Sequence, residues 1–310
     1  MTKLKVLPLA FLLIAGCARN TQLSNGIEPK VVATTTVLCD LIRTIAQKTV
    51  DLDCLIKPGF DPHIYQPNSQ NRQAIEQAQL IFYSGYNFEK PLTKLFANKN
   101  NTVAVGELAV PHPQTFAEDG KKVIDPHIFH NARNGQAMAK VIAIKLSNLN
   151  PNQRSNYIKR ADHLVEYLGQ IDSWIASEIA TIPISSKKLI TTHDALGYYS
   201  KAYDIPLEGA LQGVNTEERP TAKHIQELVQ IIRASRVPTI FAELSINPKL
   251  IEAIAKEAKV KISPQKLYAD GLGEMGSNGE SYPKMLIANT QNITRGLGGT
   301  LINPPAEKLR

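Results

Sequence analysis

Long apolar runs are missing from almost all of this chain of 310 residues. After the first sixteen positions, no segment approaches the ~18 apolar residues that a membrane-spanning helix requires. No basic run with interleaved aromatics occurs, which excludes the usual footprint of a nucleic-acid partner. No His-Glu-x-x-His helix and no serine or cysteine nucleophile motif is present, which weighs against a hydrolase. There are only three cysteines and seven histidines, so each one is informative. What is abundant is ordinary core material: 43% of the residues are hydrophobic. About 290 residues of that composition can bury two cores, and two domains are expected.

Residues 1–16 stand apart. Lys3 and Lys5 precede an apolar stretch, Val6 to Ile14, which ends in Ile14-Ala15-Gly16-Cys17. The stretch is too short to span a bilayer and has the layout of a secretory signal. Its end resembles the bacterial lipobox, in which the cysteine becomes the lipidated first residue, so Cys17 is the expected anchor. Loss of the segment removes two lysines and no acid, taking the formal charge from +7 to a mild +5. Residues 17–29 are polar and aperiodic, a tether. In an exported chain, the remaining pair, Cys39 and Cys54, reads as a disulfide rather than as two buried thiols.

From residue 30, short β-branched or apolar runs alternate with helical spacing. Val31–Thr35, Leu52–Ile56, Leu80–Tyr83 and Thr102–Val105 read as strands. Helices are expected from Leu38 to Ile45, over 68–79 and over 88–97. This alternation predicts α/β architecture with mostly parallel sheets. Asn150-Pro151 then suits a helix start. Tyr157, Ala161, Leu164, Leu168, Ile171, Ile175 and Ile179 hold a helical period for about 28 residues, a rod of roughly 40 Å. A second series comes after it, with strands at Lys188–Thr192, Asp204–Leu207, Thr239–Glu243, Val260–Ile262 and Leu267–Ala269, and a closing helix over 282–297. The expected division is signal peptide 1–16, tether 17–29, N-terminal lobe 30–149, backbone helix 150–182 and C-terminal lobe 183–310.

The tetrapeptide Asp-Pro-His-Ile occurs twice, at 61–64 and at 125–128. Proline fixes its own φ and keeps the preceding Asp out of helix, so each unit is a stiff segment presenting an imidazole. His63 and His127 sit in loops after strands; His193 and Asp270 directly follow two more. Ligands of open parallel sheets bind beyond the carboxyl ends of strands. Three imidazoles and a carboxylate close a tetrahedral zinc site or a distorted one for a neighbouring metal, here in the cleft between two lobes joined by the long helix. Glu243 reads equally as a group orienting a histidine and as a surface acid. His163 and His224 read as solvent-facing. Gly271-Leu272-Gly273-Glu274-Met275-Gly276 satisfies a dinucleotide pattern, but no strand remains to complete the unit, and it reads as a loop.

The order of these motifs is similar to that of the zinc/manganese solute-binding lipoproteins of bacterial ABC transporters. Gly59 to Pro67 resembles their first histidine motif, Asp125 to Phe129 the second, and Thr192-His193-Asp194-Ala195 with Tyr198 and Tyr199 the third. Tyr268 to Gly273 with Gly279 to Tyr282 resembles the fourth, and the likeness extends over about residues 30–300. It implies two α/β lobes on one backbone helix, a divalent metal carried as cargo, a permease partner and a lipid-anchored, periplasmic or cell-surface monomer. It also implies no enzymatic activity; a metal-stabilised adhesin and a periplasmic zinc hydrolase are the competing readings. Departures bear on the metal. The second motif usually continues with Trp, an apolar residue and Asp-Pro, where this chain has Phe129, His130, Asn131 and Ala132. His130 is therefore read as a surface group or a support behind the ligands, with a competing ligand as the other reading. The histidine-rich insertion of many zinc-specific relatives is absent, with only His112 between the first two motifs, whereas His193 stands where manganese members commonly carry Glu. Zinc is favoured, with manganese as the other cargo.

Overall fold

The computed structural model describes residues 28–118 and 121–307; the signal segment and the Cys17 anchor lie outside the described residues. The chain opens with β1 (Lys30–Ala33), α1 (Thr36–Ala46), β2 (Asp51–Cys54), α2 (Ser69–Gln77), β3 (Leu80–Tyr83), α3 (Lys90–Thr93), β4 (Thr102–Ala104) and α4 (Val105–Ala109). The four strands form one sheet in the order β2-β1-β3-β4, every pair parallel. Helices form where caps and apolar spacing agree. The α1 helix buries Val37, Leu38, Leu41, Ile42 and Ile45 on one stripe. The α2 helix starts at a capping box, with the Asn68 side chain accepting from the Asn71 amide at 2.9 Å and the Asn71 side chain accepting from the Asn68 amide at 3.0 Å. Cys39 on α1 and Cys54 at the end of β2 are joined by a disulfide, with their Cα atoms 5.8 Å apart.

A hairpin, β5 (Thr115–Glu118) with β6 (Lys121–Ile124), leads into the second Asp-Pro-His and then α5 (Ala132–Leu149). A 3-10 turn at Pro151–Gln153 precedes α6 (Arg154–Ala180), so the proline opens the turn rather than the helix itself. The second series is β7 (Leu189–His193), α7 (Gly197–Tyr203), β8 (Leu207–Gln212), α8 (Ala222–Ser235), β9 (Thr239–Ile240), α9 (Lys249–Ala258), β10 (Lys261–Ile262) and α10 (Tyr282–Gly296). β7 pairs with β8 and β9 with β10, both parallel. The Phe241 amide donates to the Ile190 carbonyl at 3.0 Å, which joins the two pairs, and Glu243 bridges to Leu267. Two α/β lobes with parallel sheets result, with α6 packed against α1, α5 and α10.

Several elements differ from expectation. The helix over 88–97 is reduced to Lys90–Thr93 flanked by turns, and the strand at 204–207 begins at Leu207 and runs to Gln212. The α5 helix, unread from the sequence, packs on α6. Ala132, Gly135, Ala139 and Ala143 lie on its buried face, and a Cβ at Gly135 would run into the Tyr282 ring. Met138, Ile142 and Leu146 share that buried face at helical spacing, with the small residues set among them.

Candidate metal centre

Each candidate ligand is delivered by rigid local structure. In both Asp-Pro-His units the Asp carboxylate accepts the amide of the histidine two residues on, at 2.9 Å, a local turn the intervening proline stiffens. His127 follows the β5–β6 hairpin rather than a strand of the parallel sheet. His193 is the last residue of β7, and Asp270 follows the Leu267 bridge. A turn after β3, in which Gly85, Tyr86 and Asn87 all have positive φ, brings Phe88 into the site. Its ring lies 5.0 Å from that of His63 and 5.2 Å from that of His127.

The four side chains His63, His127, His193 and Asp270 are buried together, one ligand atom of each lying within 4.8 Å of the others. This is the one such group among the described residues. Asp270 Oδ1 is 3.1 Å from His193 Nε2, 3.4 Å from His127 Nε2 and 3.6 Å from His63 Nε2, while the His63 and His127 Nε2 atoms are 3.2 Å apart. A regular tetrahedron with metal bonds of about 2.0–2.1 Å has edges of about 3.3–3.4 Å, which these distances bracket. His193 Nε2 and Asp270 Oδ1 are buried without a directed hydrogen-bond partner: they face a common point rather than each other. Orphaned polar atoms converging in this way fit a cation.

The far side of three ligands is held by a second layer of groups. Asp125 Oδ1 is 2.9 Å from His127 Nδ1, and Glu243 Oε2 hydrogen-bonds His193 Nδ1. The other Glu243 oxygen accepts the amides of Thr192 and His193, each at 3.1 Å, so this residue is a buried orienting group and not a surface acid. Both carboxylates place the ring proton on Nδ1 and leave Nε2 as the donor to metal. Ser245 Oγ donates to Asp270 Oδ2 at 2.6 Å, which frees Oδ1.

These contacts set the electrostatics. Burial would raise the Asp270 carboxyl, but the His193 charge and the close imidazoles of His127 and His63 hold it well below the usual carboxylate range. Burial would lower the His193 imidazole, yet the carboxylates of Asp270 and Glu243 hold it well above 6.5. His127 is raised as well: burial opposes the rise, and Asp125 and Asp270 prevail. Buried carboxylates at this density require positive charge, which protons on the imidazoles or a divalent ion can provide.

The remaining residues singled out in the sequence lie elsewhere. His130 is fully buried, outside the ligand group, with Nε2 2.7 Å from the Ala269 carbonyl; a surface role is thereby excluded. His112, His163 and His224 are exposed, and residues 271–276 form a loop. The pairing of Asp61 with Thr216 had no signal in the sequence. Thr216 Oγ1, on the loop after β8, donates at 2.6 Å to Asp61 Oδ2, across the cleft from the opposite lobe. The repeated tetrapeptides thus use their acids differently: Asp125 holds an imidazole, and Asp61 holds the other lobe.

Comparison with known proteins agrees with this layout. Residues 31–296 match the model of the family described as ZnuA, zinc-uptake complex component A, periplasmic. The chain is 32% identical over 305 residues to the manganese ABC transporter substrate-binding lipoprotein PsaA of Streptococcus pneumoniae, covering 95% of this chain and 97% of that protein. It is 31% identical over 305 residues to the metal ABC transporter substrate-binding lipoprotein SsaB of Streptococcus sanguinis, covering 93% and 97%. Among solved structures, the periplasmic zinc-binding protein TroA of Treponema pallidum superposes with a TM-score of 0.82 at 29% identity, over 87% of this chain and 99% of that one.

Proposed function

The chain belongs to the ZnuA family of periplasmic zinc-uptake components, and on that premise we propose that it captures one divalent transition metal ion through His63, His127, His193 and Asp270. It is the extracytoplasmic substrate-binding component of a metal ABC importer and delivers the ion to the membrane permease. The observation that carries the ligand assignment is the convergence of three imidazole nitrogens and one carboxylate oxygen in a buried cluster, with the carboxylate oxygen 3.1–3.6 Å from each Nε2. Four protein ligands leave a tetrahedral ion no open position for water, which favours carriage over hydrolysis. The relatives are lipoproteins that carry manganese or other metals, and Cys17 is the lipid attachment point proposed for this chain.

The lobes, 30–149 and 183–310, close on the ion, with two ligands from each. Nitrogen-rich donor sets hold zinc more tightly than manganese whichever is the physiological cargo. Zinc is therefore the stronger binder here. Calorimetric titration with zinc and manganese on His63→Ala, His127→Ala, His193→Ala and Asp270→Ala tests each ligand separately. A loss of at least tenfold in zinc affinity is expected for every variant. Wild-type affinity in any one of them removes that residue from the coordination sphere.

A further inference from the structure

The buried histidine that supplies no ligand has a task of its own. His130 ends the 3-10 turn Ile128–His130, three residues after His127, and belongs to the N-terminal lobe. Its Nε2 reaches 2.7 Å to the carbonyl of Ala269, 139 positions along the chain, in the C-terminal lobe. A carbonyl only accepts, so Nε2 carries the ring proton and the imidazole is in its neutral Nε2–H form. Nδ1 is then a buried acceptor, and it has no partner. Leaving such a nitrogen unpaired costs stability, so packing alone does not account for a histidine at this position. Phe129, its ring centroid 4.6 Å away, encloses the other side.

The bond matters because Ala269 immediately precedes a ligand. The carbonyl of Ala269 and the amide of Asp270 share one planar peptide unit, so fixing one fixes the plane from which the Asp270 side chain projects. The side chain's far oxygen is held by Ser245. With both ends fixed, Oδ1 has a single direction, toward the imidazoles. Because the ring is uncharged, it supplies a donor within the site without repelling a cation. Burial is the main reason it stays neutral, pushing the group down to about 4.

We propose that His130 is a positioning residue: through its hydrogen bond across the cleft to Ala269, it aims the Asp270 carboxylate at the metal and ties ligand geometry to lobe closure. This rests on the metal centre proposed above. The probe is Co²⁺, whose visible absorption reports four-coordinate geometry and whose release is followed by mixing with excess chelator. His130→Leu fills similar space and removes the unpaired nitrogen while leaving the Ala269 carbonyl without its donor, so the two effects offset and the metal-free protein is expected to melt close to wild type. Its Co²⁺ bands should shift and weaken, and release should quicken about fivefold, the factor expected for one lost hydrogen bond. His130→Gln, whose amide can donate to the same carbonyl, should restore release to within about twofold.

Identical bands and release rates in His130→Leu and wild type would overturn the inference while leaving the ligand set intact. A lowered melting point in both variants with equal loss of Co²⁺ would also overturn it, because it would mark His130 as a packing residue. Failure of the wild type itself to bind one Co²⁺ would instead remove the metal centre, and this inference with it.

Discussion

Replacing Thr216 by valine tests whether the lobes are fastened by groups other than the ligands. The hydroxyl of Thr216 donates to Asp61 Oδ2 at 2.6 Å, and the other oxygen of that carboxylate accepts the His63 amide at 2.9 Å. Asp61 is nearly buried, and burial together with the Asp270 charge already raises its pKa, while the Thr216 bond lowers it. Valine has nearly the same shape, so the change removes the bond and leaves one carboxylate oxygen unpaired at the lobe contact. Hydrogen bonds to charged groups contribute about 1.5–3 kcal/mol, which corresponds to a factor of about 10 to 150 in an equilibrium constant.

The neighbouring cross-lobe pair, Lys90 with Glu217 at 3.9 Å, is exposed on both sides and offers little to replace it. The Thr216 bond spans the two lobes and contacts no metal, so its loss should appear in the rate of metal release and not in the rate of capture. Stopped-flow release into excess chelator is expected to be at least about tenfold faster in Thr216→Val. Thr216→Ser, which keeps the hydroxyl, should release at close to the wild-type rate. Release within twofold of wild type in the valine variant, or a loss confined to the capture rate, would refute the reasoning.

Two other outcomes are expected. Asp40 accepts the Tyr282 amide at 2.8 Å, and burial raises its carboxyl from 3.8 to about 6. A folded-state pKa above the unfolded one gives stability that is complete below about 4 and lost as pH rises through about 6. Asp40 keeps some contact with solvent, which reduces the effect, so Asp40→Asn should stabilise the metal-free protein by about 1–3 kcal/mol at pH 7.5, and the gain should shrink to about 0.5 kcal/mol or less near pH 4. Urea titrations at both pH values check this, and a gap that widens toward acid would reverse the assignment. For the anchor, Cys17→Ser should move the protein from the membrane fraction to the soluble fraction and abolish metabolic lipid labelling; unchanged fractionation and labelling would rule out Cys17 as the attachment point.

Much of the architecture was legible in sequence because it depends on local regularities. The apolar strands Val31–Ala33 and Leu80–Tyr83, the helical period of α6 and the turn-forming Asp-Pro pairs each act over a few residues. Two elements carried a local signal that was not read. The α5 helix has Met138, Ile142 and Leu146 at helical spacing on its buried face, and Asp119-Gly120, a strong two-residue turn signal, stands between β5 and β6, whose strands are only four residues each.

Sequence alone determined which residues could serve chemistry: four metal-competent side chains, each after a strand or in a proline-stiffened turn, and a cysteine pair in an exported chain. Tertiary structure alone decided what the surrounding polar groups do. Glu243 and His130 each had open readings, and their roles are set by partners 50 and 139 positions away. Two identical tetrapeptides diverged, with Asp125 bound to an imidazole and Asp61 to Thr216 of the facing lobe. The physical reason is that a hydrogen bond is directional and acts over about 3 Å. Local sequence can fix a side chain's type and its turn, but only the packing of two lobes fixes which atom stands within that distance.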